Sequence, residues 1–513
     1  MSFFVFFRIT RGSIQASVFF RIRKTVSTLT KSGYNVPMSF NWAFFVDLGV
    51  VGIGLLVSTL IRSRVRFFQR YLIPNALTAG LILLPVYNFL MPAFGLGTRN
   101  LEELSYHLLS IAFIAMTLRP TSRTGHRGDG RVFAMSIGIL SQYALQAFAG
   151  LMITFILIST FMPDLYHSFG FLLPLGYALG PGQALSIGEG WRSAGIQGAG
   201  SVGLTFAAIG FLLACFGGVY LINYGIRHGW ISRAESGVLD TERVRTGVYP
   251  RDKQPTGAKL VTESEAVDSL SFTAAILFVI YLLTFLLLSG LQYALSFIGP
   301  LGNELATNLW GLSFIFAALM AILVKHVIHA LHLQHLTDTQ MLNRINGFSV
   351  DVLVTASIGA ISLLVVLEYI VPITILATVG AILTITLVPW VCSRIFKPDD
   401  HRFLRMLMIY GASTGTLTTG LALLRVLDPD FETPVATDYA YASGLVFALV
   451  IPLILSINLP VLAYTSGDTR WFWLAVLVVS GYLLFTALSY MLLARERSFR
   501  RRFRVWLHSN VNS

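Results

Sequence analysis

Apolar runs about as long as a bilayer is thick recur along this chain, separated by short polar or basic connections. A helix that crosses the hydrocarbon core needs about 20 mainly apolar residues. On that measure spans are predicted near 41–61, 72–92, 101–118, 132–162 and 196–226. After a polar stretch from Arg227 to Asp268 come spans near 270–298, 303–328, 347–370, 371–396, 438–465 and 470–494. Two further segments, 168–190 and 403–426, have spanning length but are interrupted by glycine and small hydroxylated residues. They read GYALGPGQALSIGEG (Gly176 to Gly190) and YGASTGTLTTGLALL (Tyr410 to Leu424). Non-helical backbone at membrane depth survives only where protein or a water-filled cavity satisfies its polar groups. Both segments are therefore read as re-entrant hairpins that do not cross.

The two halves have the same order: four spans, a hairpin, a fifth span. Because five is odd, the second copy enters the membrane from the opposite side. The predicted fold class is an all-α membrane protein of two inverted repeats, each of five spans and one hairpin. The divisions are a 1–37 extension, a first repeat over 38–226, a linker over 227–269, a second repeat over 270–465, and an extra span with a basic tail over 466–513. Broken segments at matching places in two halves point to a transporter site near the midplane.

Charge supports this order. The 513 residues are 55% hydrophobic and 12% charged, where soluble domains carry about 25% charge. The net charge of +12 is spread over loops rather than gathered on one module, which argues against a nucleic-acid partner. Arg62, Arg64, Arg66 and Arg70 make the first connection cytoplasmic by the positive-inside rule. With eleven spans, the other cytoplasmic segments are then 119–131, 227–268, 325–346, 394–405 and the tail from Arg495, each of them holding Lys or Arg. The C-terminus is cytoplasmic and the N-terminus outside. Residues 1–37 sit badly there, with Arg8, Arg11, Arg21, Arg23, Lys24 and Lys31 and no acidic residue. Either translation starts at Met38 or the stretch is an acid-free targeting peptide; sequencing the mature N-terminus separates the two.

Several motifs resemble the bacterial sodium/glutamate symporter family. The resemblance runs from about Leu72 to Pro460. It rests on LIPNALTAGLI (Leu72 to Ile82), GPGQALSIGEG (Gly180 to Gly190) and GLTFAAIGFLLACFGGVYLINYGIRHG (Gly203 to Gly229). In the second half it rests on YGASTGTLTTGLALL and FALVIPLILSINLP (Phe447 to Pro460). It implies a homodimer in a bacterial inner membrane, with glutamate and Na⁺ held between hairpin tips and moved by an elevator-like step. The chain departs from the family where Pro181 and Gln183 stand for a histidine and a threonine, and where the second hairpin lacks a proline.

The substrate-binding candidates are Gly180, Gly182, Gln183, Ser186, Ser413, Thr414, Gly415, Thr416 and Arg425. Half-helix N-termini favour anions and freed carbonyls favour cations. Gln183 and Ser186 either hydrogen-bond a substrate or satisfy hairpin backbone. Arg425 has the fork that grips a carboxylate, with Asp428 as a structural alternative partner. For a coupling cation the candidates are Thr418, Thr419 and Asp351, although Thr in a membrane helix often bonds its own backbone. Asp47 is either on a cation route or interfacial, and Glu189 and Arg192 have the spacing of a self-neutralising pair. His326, His329, His332 and His335 recur every three residues at a span end, where a solvated helix face outweighs a metal site. Cys215 and Cys392 read as buried apolar residues. No nucleophile motif or phosphate loop is present, so neither an enzyme nor ATP-driven transport is expected, and no cofactor beyond a coupling Na⁺ or H⁺. The rival to a symporter of glutamate or a related carboxylate is a channel-like or sensory membrane protein that kept the fold and lost coupling.

Overall fold

The computed structural model describes residues 42–71, 73–119, 130–230, 260–263, 265–297, 299, 306, 309–397, 401–415, 417–428, 433–500 and 504–507. For 417, 418, 422, 425, 440 and 447 it describes the backbone alone. The readings made for the 1–37 extension and for most of the 227–269 linker lie outside the described residues.

All regular structure among the described residues is helical. The first half comprises α1 (Trp42–Arg64), α2 (Asn75–Phe94), α3 (Arg99–Leu118), α4 (Arg131–Thr160), α5 (Phe169–Leu179), α6 (Pro181–Gly190) and α7 (Ala199–Arg227). The second comprises α8 (Ser269–Ser296), α9 (Ser313–Ala330), α10 (Thr339–Gly359), α11 (Ile370–Ile395), α12 (Arg402–Thr414), α13 (Leu417–Leu427), α14 (Val435–Ser456) and α15 (Leu459–Ser466), and α16 (Arg470–Ala494) follows. Side-chain caps fix two of the starts. Asp268 accepts from the N–H groups of Leu270 and Ser271 at 2.9 and 3.2 Å, and Asp338 accepts from Met341 N–H at 2.8 Å.

Among the described residues, ten helices are long and apolar enough to cross a membrane. The chain is an all-α, multi-pass membrane protein. The difference from the expected eleven spans falls at 347–370. There the chain forms α10, which starts early on polar residues (Thr339, Gln340, Asn343, Arg344), and then stops at Gly359. A separate short helix, Leu363–Glu368, follows. The break is viable because side chains from two other helices bond its backbone. Asn88 of α2 donates to Ile361 C=O at 2.8 Å and accepts from Leu363 N–H at 3.0 Å, while Ser201 of α7 accepts from Ser362 N–H at 3.3 Å. This is the satisfaction that irregular backbone requires at membrane depth.

α7 is the spine on which both interrupted segments lie, and glycines let them approach closely. At its N-terminal end a Cβ on Gly200 would come within 2.7 Å of Glu189, and one on Gly203 within 3.0 Å of Ala184 Cβ. At its C-terminal end a Cβ on Gly225 would come within 2.5 Å of Phe403. Between them a Cβ on Gly210 would overlap the Thr414 carbonyl oxygen and touch Tyr177. With 1.5 Å rise per residue, Gly200 and Gly225 are roughly 37 Å apart and Gly210 lies roughly 15 Å from the first. The two segments thus run inward from opposite ends of α7 and meet near its middle.

The stretches on either side of each break also lie close together. The rings of Tyr166 and Trp191, which flank the first, are 6.4 Å apart. In the second, Gly411 before the break packs on Gly420 after it, a Cβ there falling 2.7 Å from the Gly420 Cα.

Among the described residues, the basic ends of α11, α12 and α16 gather at one end of the molecule. Trp230, past α7, stacks on Trp506 of the tail at 4.8 Å. Arg402 lies over the same ring at 5.0 Å. Arg394 donates to the Arg504 carbonyl at 2.9 Å, and Arg497 to that of Phe396 at 2.9 Å. At this end Lys325 of α9 also donates to the carbonyls of Thr117 and Arg119.

Candidate functional site

Beside the point where the two segments meet lies a cavity of about 170 Å³. α5 and α6 supply Ala178, Leu179, Pro181, Gly182 and Gln183; Ala412 comes from α12. The remaining walls are one face each of α3, α4, α10 and α14. Lining residues such as Met116, Ile139 and Asn346 place the cavity toward the end of the molecule at which α3 stops and α4 starts. The wall is largely apolar, with polar groups only on Gln183, Asn346, Ser443, Tyr143 and Tyr439, and no charged side chain lines it among the described residues.

The first break creates a helix start at this wall. Gly180 takes φ +103° and ψ 174°, a conformation open to glycine and strained for residues with a Cβ, and Pro181 then begins α6. The start has no side-chain cap, so the first-turn N–H groups of Gly182 and Gln183 are offered to the cavity with the positive end of the helix dipole. Two tyrosines hold this tip. Tyr143 of α4 donates to the Ala178 carbonyl at 3.2 Å, and Tyr177 donates to that of Ala377 on α11 at 2.9 Å. The second break presents the opposite polarity, because α12 arrives by its C-terminal end at Thr414.

The sequence-based candidates separate accordingly. Gly180, Gly182 and Gln183 are at the cavity, Gln183 with its side chain nearly buried. Ser186 is one turn further and donates to the Gly311 carbonyl at 2.5 Å, so it tethers α6 to the chain before α9. Ser413, Thr414 and Gly415 form the second tip. There Thr414 donates to the Tyr410 carbonyl of its own helix at 2.8 Å, and buried Thr419 lies against Gly415. Thr416 is outside the described residues, as are the side chains of Thr418 and Arg425. Asp351 is exposed on α10, whose Val350 and Val354 face the cavity.

The other charges noted in the sequence are local. Arg192 and Glu189 pair at 3.1 Å. Asp428 accepts from the N–H of Thr433 at 3.1 Å. Asp47 is buried and accepts from the Tyr87 hydroxyl and from Asn100 at 2.7 Å. The exposed His326 donates to the Ile322 carbonyl, and His329 pairs with Gln334.

Four groups at the tips were not singled out from the sequence: Tyr143, Gln142 and Gln146 of α4, and Thr384 of α11. A signal was present for the glutamines, since polar side chains inside an apolar span are functional suspects. Gln146 donates to the Thr384 hydroxyl and to the Ser413 carbonyl, both at 3.0 Å. Comparison with protein-family models, curated proteins and solved structures gave no match.

Proposed function

We propose that this protein is an ion-coupled secondary transporter, a symporter of glutamate or a related small carboxylate driven by Na⁺ or H⁺. The reading rests above all on the two glycine-broken segments that run inward from opposite ends of α7 and meet beside a largely apolar cavity. In this reading each segment is a re-entrant hairpin, the two halves are inverted repeats, and the end with the basic connections faces the cytoplasm.

The uncapped start of α6 receives the substrate carboxylate, with the side chains of Gln183, Asn346 and Ser443 within the same wall. The apolar remainder of the wall excludes water from the bound solute. Alternating access follows when one set of helices rocks or slides past the other around this site. The cavity faces the basic end, so the conformation described is the inward-open one.

The experiment is uptake of radiolabelled glutamate, and of a panel of small carboxylates, into proteoliposomes with and without an inward Na⁺ or H⁺ gradient. Gradient-dependent accumulation is expected for at least one member. Folded protein that accumulates none of them under either gradient would overturn the reading.

A further inference from the structure

We propose that Gln142, Gln146 and Ser413 form a binding site for a dehydrated monovalent cation at the tip of the second broken segment. Its use in coupling rests on the transporter reading; its existence does not.

Gln142 and Gln146 are one helical turn apart on α4 and therefore share a face. That face runs along α12: a Cβ on Gly138, one turn before Gln142, would meet Ile409 at 2.8 Å, and Gln146 reaches the Ser413 carbonyl at 3.0 Å. Both glutamines and Ser413 are at most 1% exposed. The amide orientation of Gln146 follows from its partners. The Ser413 carbonyl can only accept, and Thr384 already gives its hydroxyl proton to the Gly380 carbonyl at 2.8 Å. Both must therefore receive N–H from Gln146, which turns its Oε1 away from them.

That oxygen has no donor among the described residues, and neither has Gln142 Oε1 or Ser413 Oγ. Buried polar atoms in folded proteins are almost always paired. Three unpaired oxygens of neutral groups on two facing helices are the ligand set of a hard cation. The C-terminal end of α12 points into the same place and adds its negative dipole. No carboxylate belongs to the set, so the charge it can hold is single rather than double. The cation thus binds against the tip of α12 and the carboxylate against the start of α6, and the Thr418, Thr419 and Asp351 candidates are not needed for this site.

The test is thermal unfolding of the full chain in detergent, titrated with NaCl at constant ionic strength against KCl and choline chloride. Wild type should show a saturable, Na⁺-specific rise in Tm. In Ser413→Ala the half-saturating Na⁺ concentration should rise by at least about tenfold, as losing even an outer partner of a metal site does. Gln146→Leu should abolish the rise, and Gln142→Glu, which keeps an oxygen there without removing the N–H groups that Gln146 gives to Ser413 and Thr384, should preserve it. A Na⁺ response identical in wild type and all three variants would overturn the site. So would its absence from folded wild type, which would leave an ordered water as the partner of these oxygens. If Na⁺ stabilises the protein through Gln146 but neither a Na⁺ nor an H⁺ gradient drives uptake, the site stands and the transporter reading falls.

Discussion

Asp438→Leu is expected to destabilise the protein by about 3–5 kcal/mol, because it strips a buried guanidinium of its carboxylate. Arg405 stands one turn into α12, with its side chain 0% exposed and its Nη2 2.7 Å from Asp438 Oδ2. Its guanidinium also lies 5.5 Å over the Phe396 ring and 3.2 Å from Met135 Sδ. Through these contacts the base of the second broken segment is fixed to α14, to the end of α11 and to α4. Removing only the acid leaves a charge where water cannot reach it. The double variant Arg405→Leu, Asp438→Leu should recover most of the loss, since both charges then leave together. Denaturant unfolding in mixed micelles measures all three. A single variant as stable as wild type, or a double variant no better than the single, would contradict this account of the anchor.

Gly180→Val should reduce transport by more than about tenfold while the far-ultraviolet circular dichroism stays helical. The φ of +103° with extended ψ is accessible to glycine and costs other residues about 1–3 kcal/mol, more for a β-branched side chain. The chain would relieve this strain by moving the turn that aims α6 at the cavity. Gly444→Ala on α14 is the control, because a Cβ there meets nothing within 4 Å and helix propensity favours alanine. If Gly180→Val transported at the wild-type rate, the break would not be the feature that shapes the site.

Much of the fold was legible from the alternation of apolar runs and charged connections, because a bilayer demands length and hydropathy in plain form. The two breaks were legible too, since Gly180–Pro181 and Gly415 are strong punctuation. What failed was a boundary set by tertiary contacts. The polar start of α10 argues against a span, and nothing local announces that Asn88 and Ser201 will bond the backbone after Gly359. The same cause hid half of the site. Ser186 and Thr414 looked like ligands because they lie in the broken segments, yet each bonds a backbone carbonyl. Gln142 and Gln146, on an intact helix, matter only because α12 ends beside them, and Asp438 read as the first residue of a span until Arg405 was found against it.

Alternating access at the meeting point of the two broken segments is tested most directly by the sidedness of one cysteine. The buried Cys215 and Cys392 are replaced by alanine, and Ser443→Cys, on the cavity wall, is labelled with a membrane-impermeant maleimide from each face of oriented proteoliposomes. The account predicts labelling from the basic face at rest, falling on that face and rising on the other when Na⁺ and a transported carboxylate are supplied. Labelling from both faces at once, at rates that neither solute changes, would contradict it and describe a channel.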